Sequence, residues 1–180
     1  MNEINTQLIP VPGGEAFLVQ PAPEATPRVG CFEVYGGQAL VAPNVANLED
    51  TKLACLILAA IGDDNRAIGS NLGIKEGRVR KALANSYPLL ERSNRHAIGR
   101  YLLEQNVFTV LIPPAELDVT KTELRVLEQS SHGKTTKEIA DTFNRSSFTI
   151  KTHLTRIADK HEQPSRNALL LRGLLSGQIV

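Results

Sequence analysis

The chain of 180 residues lacks the marks of several protein classes. No run approaches the roughly 20 consecutive apolar residues that a bilayer-spanning helix needs, so no membrane association is expected. The N-terminus, MNEINTQLIPVPGGEAF, has neither the basic start nor the apolar core of a secretion signal. Cysteine is scarce: Cys31 and Cys55 stand far apart and form no metal-like pair, so both are expected to be reduced core residues of a cytoplasmic protein. The four histidines, His96, His132, His153 and His161, have no ligand spacing with cysteines or acids. Gly13-Gly14 and Gly36-Gly37 are turn signals, and no glycine-rich phosphate loop is present. With no catalytic constellation either, an enzyme is not expected, nor is a cofactor.

A net charge of +1 also falls short of the basic excess that would advertise a polyanion partner, but the total conceals an asymmetry. Residues 1–50 hold one Arg against six acids, residues 51–117 nine Lys or Arg against six, and residues 118–180 ten against seven. The cations sit in the two C-terminal parts.

The stretch around which the rest is organised is GKTTKEIADTFNRSSFTIKTHLTRIADK, residues 133–160. It predicts a helix over 136–143, a turn at Asn144-Arg145-Ser146 and a longer helix capped by Ser146 or Ser147, because a serine oxygen accepts the free amides of a first turn. In the longer helix Ile150, Leu154, Ile157 and Ala158 form one apolar stripe. The opposite face carries Thr149, Thr152, Thr155 and Arg156, with His153 and Lys160 at its margins. Such a helix suits insertion into a DNA major groove, hydroxyls and amines reaching base edges while flanking cations meet phosphates. An amphipathic helix pair with a merely solvated front face fits the same periodicity.

The pattern resembles the LuxR-type (GerE-type) helix-turn-helix. The matching residues are Val119-Thr120 and Glu123, then Gly133, Lys137-Glu138-Ile139-Ala140, Ser146, Thr149-Ile150-Lys151, His153 and Lys160, closing on Arg166 and Ala168. Arg145 stands where the family has an apolar residue, Thr135-Thr136 replace Ser-Asn, and His161-Glu162 replace Leu-Gly. The resemblance covers about the last 60 residues. It implies that Lys151, Thr152 and Thr155 face bases, and that Lys137, Ser146, Thr149, His153 and Lys160 lie at or near DNA-backbone positions. Ser147 and Arg156 complete the candidate surface of this unit. The family's usual dimer contact is its fourth helix, here beginning near Ser165.

Sliding the chain by 71 positions without a gap superposes apolar positions helix by helix, with identities such as Leu56 on Leu127, Gly62 on Gly133, Ile68 on Ile139 and Arg95 on Arg166. Residues 47–107 therefore read as a divergent second copy of the unit. Its turn is Leu72-Gly73-Ile74. Its long helix, expected over 76–87 and stopped by Pro88, buries Val79, Leu83 and Tyr87 and exposes Arg78, Arg80 and Lys81. Arg66 and Lys75 join these as candidate DNA contacts. Packing without any DNA contact is the competing reading of this copy.

The expected fold is mainly α: two tandem four-helix units preceded by a small β element. Residues 1–46 form an acidic β-rich arm, residues 1–12 of it a tail, and residues 108–118 a linker stiffened by Pro113-Pro114. In 119–180 Thr120 and Glu123 predict a capping box opening a helix that buries Leu124 and Leu127. The leucines of the last helix spread too widely to be covered by one small unit. That helix either packs on two sides within the chain, where pairing with its counterpart over 94–105 would make an internal pseudo-dimer, or joins another copy in a chain-to-chain dimer; the sequence does not choose between them. The expected function is a bacterial sequence-specific DNA-binding transcriptional regulator, cytoplasmic and nucleoid-associated when bound. Its partners would be double-stranded DNA, RNA polymerase or another regulator, and a second copy joined through the fourth helix or the arm. The alternative is a protein-binding co-regulator or anti-activator using the same scaffold without touching DNA.

Overall fold

The structure is a computed structural model that describes residues 5–11, 14–20, 30–34, 37–41, 50–90, 94–163 and 165–180. The side chains of residues 5–50, and those of Leu89, Thr109, Leu111 and Ile112, lie outside it, so Cys31 and the acidic character of the arm are not described. The molecule is mainly helical. Among the described residues eight α-helices follow one another: α1 (Asp50–Ile61), α2 (Asn65–Leu72), α3 (Glu76–Ser86), α4 (Ile98–Glu104), α5 (Lys121–Ser131), α6 (Thr136–Phe143), α7 (Ser147–Lys160) and α8 (Arg166–Leu175). The backbone also forms strands β1 (Asn5–Val11), β2 (Gly14–Gln20), β3 (Gly30–Val34), β4 (Gly37–Val41) and β5 (Phe108–Ile112), each antiparallel to the next in that order. The segment read from sequence as a linker thus opens with a strand.

Local chemistry accounts for the helix ends. Asp64 accepts from the Ala67 amide at 2.8 Å and starts α2; Gly73, at φ 64°, ends it in the left-handed conformation that glycine adopts without penalty. Thr120 and Glu123 form the expected capping box on α5. Thr135 and Glu138 form a second one on α6, and Ser165 caps α8. The α3 helix closes at Ser86 and passes into a 3-10 turn, Tyr87–Leu90, around Pro88. That change of path leaves Tyr87 half-buried rather than buried as its spacing predicts. In α5 the deep positions belong to Val126 and Leu127, and Leu124 is only half-buried.

Among the described residues two apolar cores result. The first gathers Leu53, Leu56 and Ile61 of α1, Ile68 of α2, Val79 and Leu83 of α3, and Ile98 and Leu102 of α4. Cys55 lies in it with its thiol pushed up by burial. The second gathers Val126 and Leu127, Ile139 and Ala140, and Ile150, Leu154 and Ile157, drawn from α5, α6 and α7. The α8 helix serves both: Leu171 and Leu175 belong to the first core, Leu169, Leu170 and Leu174 to the second. Its wide spread of leucines is therefore covered within the chain, each fully buried one contributing about 1.5–3 kcal/mol.

Candidate nucleic-acid interface

The turn between α6 and α7 is Asn144-Arg145-Ser146. Asn144 takes φ 49°, in the left-handed region that Asn tolerates better than most side chains, and the Arg145 amide returns to the Ala140 carbonyl at 2.9 Å. Ser146 then caps α7, its Oγ accepting from the Thr149 amide at 3.0 Å and lying 2.8 Å from Thr149 Oγ1. Because Ile150, Leu154 and Ile157 are buried against α5, α6 and α8, the rotation of α7 about its own axis is fixed and so is its outward face.

That face carries Phe148, Lys151, Thr152 and Thr155, at i, i+3, i+4 and i+7, all exposed. Phe148 was not among the residues singled out from sequence. It is 79% exposed, whereas among the described residues the other exposed large apolar side chain is Val180. Its spacing with Lys151, Thr152 and Thr155 was the signal that could have found it. The Thr152 hydroxyl donates to the Phe148 carbonyl at 3.0 Å, leaving the oxygen able to accept from outside. Thr149 and His153 are half-buried, and with Phe148, Thr152 and Arg156 they line a shallow hollow along the face. Ser147 is exposed in the first turn and Lys137 on α6. Ser146 is exposed too, with its hydroxyl engaged in the cap.

Two candidates face other work. Arg156 reaches Glu123 at 3.1 Å, and Lys160 donates to both the carboxylate and the carbonyl of Asp118 at 2.7 Å. They tie α7 to the start of α5, and a phosphate would have to compete for them. The Lys160 bond holds the Asp118 carboxyl below its ordinary range. Glu123 is lowered first by the Thr120 amide, with Arg156 adding to it. Glu138 is lowered by the Thr135 amide.

Another basic residue, Arg166 of the matching pattern, is structural. It lies at the start of α8, donating to Ser130 Oγ at 2.6 Å and Thr136 Oγ1 at 3.4 Å. Burial pulls its guanidinium down to about 10.

In residues 47–107 the candidates also lie on one side of their helices. Arg66 is exposed on α2; Lys75 precedes α3 without a side-chain capping bond; Arg78 and Lys81 are exposed on α3. Arg80 is exposed as well but bonds Glu76 one turn earlier at 2.9 Å. Gly77 takes the place on α3 that Phe148 holds on α7, and a Cβ there would meet nothing within 4 Å.

Among the described residues no group of three or more His, Cys, Asp or Glu is placed to hold a metal ion, and no helix is long and apolar enough to cross a membrane.

Residues 118–172 match the GerE family model, described as bacterial regulatory proteins, luxR family. That segment, α5 through most of α8, is thus similar to the helix-turn-helix domain of a family of bacterial regulatory proteins. No curated protein and no solved structure matches the chain.

Proposed function

We propose that the chain is a sequence-specific DNA-binding transcriptional regulator that reads the major groove with α7. The observation that carries this reading is the combination of a LuxR-type domain with an α7 face of Phe148, Lys151, Thr152 and Thr155 held outward by a buried apolar back. Hydroxyl, amine and ring edge on one helical stripe are the groups that meet base edges and thymine methyls, while the exposed Lys137 and Ser147 are of the kind that meets phosphates. Residues 47–107 act in this proposal as a divergent copy whose α3 contributes Arg78 and Lys81. Their support is the gapless superposition of α1–α3 on α5–α7, with helix starts offset by the same 71 positions.

The test is fluorescence anisotropy on random duplex DNA across about 50–200 mM salt. Six or more phosphate contacts would weaken affinity about a thousandfold over that range. Lys151→Ala/Thr155→Ala is expected to lower affinity at every salt and to flatten the slope by about 1 through the lost cation. The second reading, a protein-binding co-regulator, is favoured by the exposed Phe148 ring and by the engagement of Arg156, Lys160 and Arg80 in ion pairs. Absence of binding at the low-salt end would select it.

A further inference from the structure

We infer that the two units are paired with each other inside one chain, about a local twofold axis, and that the pair forms a complete two-headed reader with unlike heads. Its second half, the reading of DNA, rests on the function proposed above; its first half does not.

A twofold pair has a signature: if residue i of one member touches j of the other, then j touches i, and residues on the axis meet their own equivalents. The 71-residue offset makes the signature visible. His96 and Asn167 are equivalent positions, and they meet, His96 Nδ1 lying 2.7 Å from Asn167 Oδ1. Asn94 donates to the Gly133 carbonyl. The swapped pair is Ser165 and Gly62, and Ser165 Oγ sits so close that a Cβ on Gly62 would lie 2.5 Å from it. The units are also alike within. Arg95 donates to Asn65 at 2.7 Å just as Arg166 donates to the equivalent Thr136. Asn106 and Gly177, again equivalent, both take positive φ beyond the fourth helix.

Two differences make the pairing exclusive. Arg100 crosses the boundary to Ser131 Oγ, at 3.2 Å from Nε and 2.8 Å from Nη2. The equivalent positions hold Leu171 and Ala60, both buried in the first core. Two copies of the second unit about this axis would lay Leu171 on the Ser131 hydroxyl. Two copies of the first would bury the Arg100 guanidinium over the Ala60 methyl. The mixed pair sets guanidinium against hydroxyl and leucine among apolar neighbours, so the surface that would recruit another chain is occupied by this one. The axis also relates α3 to α7, with Gly77 and Lys81 where α7 has Phe148 and Thr152. The preferred site therefore has two half-sites that differ.

The test joins the axis residues. His96→Cys/Asn167→Cys, on a Cys31→Ser/Cys55→Ala background, is treated with a short bismaleimide and its intact mass is read. One chain carrying one linker joined at both ends is the expected product. A covalent two-chain product, or one chain with two linkers each attached at a single end, overturns the pairing. For the reading, the unmodified chain is titrated on a random duplex of about 20 bp, the span of two half-sites one helical turn apart. One chain per duplex is expected, with Arg78→Ala/Lys81→Ala lowering the salt slope by about 2. Two chains per duplex, or an unchanged slope alongside a Lys151→Ala effect, overturns the two-headed reading. Complete absence of DNA binding removes the proposed function, while the cross-link still decides the pairing.

Discussion

An aromatic ring that spends its area on solvent costs nothing to remove from the fold, which separates folding from function at Phe148. Phe148→Ala is expected to leave the thermal midpoint unchanged, because the side chain is 79% exposed. It should weaken binding to a selected DNA site by about tenfold, the scale of a lost base contact of about 1–2 kcal/mol. Equal thermal melts with unequal anisotropy titrations would be the outcome to look for. Arg156 and Lys160 show why residue-level reading from sequence stops short. Their helical spacing places them on or beside the front face, but their partners, Glu123 and Asp118, lie 33 and 42 residues back. No local pattern encodes a pairing at that separation. Phe148, by contrast, was legible: its spacing with Lys151 and Thr155 places it on the face.

At the scale of the element, the chain states its boundaries through side chains that act over three or four residues. The start of α7 at Ser147, the start of α8 after Ser165 and the capping box on α5 follow from cap chemistry visible in the sequence. Ser146→Ala removes the acceptor for the Thr149 amide and is expected to cost about 1 kcal/mol in urea unfolding. Some of the DNA affinity should go with it, since the first turn of α7 carries Phe148. What helical periodicity did not yield is depth. Leu124 and Tyr87 have the spacing of core residues and are only half-buried: neighbouring Val126 occupies the inner position in one case, and the turn at Pro88 redirects the chain in the other.

At the scale of the molecule, the division of α8 between two cores decides how the protein responds as a whole. The sequence showed that its leucines needed two covers but not which ones, because burial between segments far apart in the chain leaves no periodic trace. The same boundary holds a titratable group. Burial, then the nearby Arg166 guanidinium, lowers the His96 imidazole below its ordinary 6.5, against a raising contribution from Asn167 and a further lowering one from Arg95. The unfolded chain thus takes up this proton first as pH falls. The stability contributed by neutral His96 is complete above about 6.5 and declines below it, towards the folded value. Urea unfolding at about pH 7.5 and 5.5 should show the loss, and His96→Gln, which cannot charge, should remove that part of the dependence.

The sharing of α8 has one more consequence, and it concerns synthesis. Leu171 and Leu175 complete a core whose other members, from Leu53 to Phe108, leave the ribosome much earlier. The N-terminal helices must wait, with an apolar gap open, for a helix that emerges after the whole of α5, α6 and α7. Until then the nascent chain exposes apolar surface that the finished core covers.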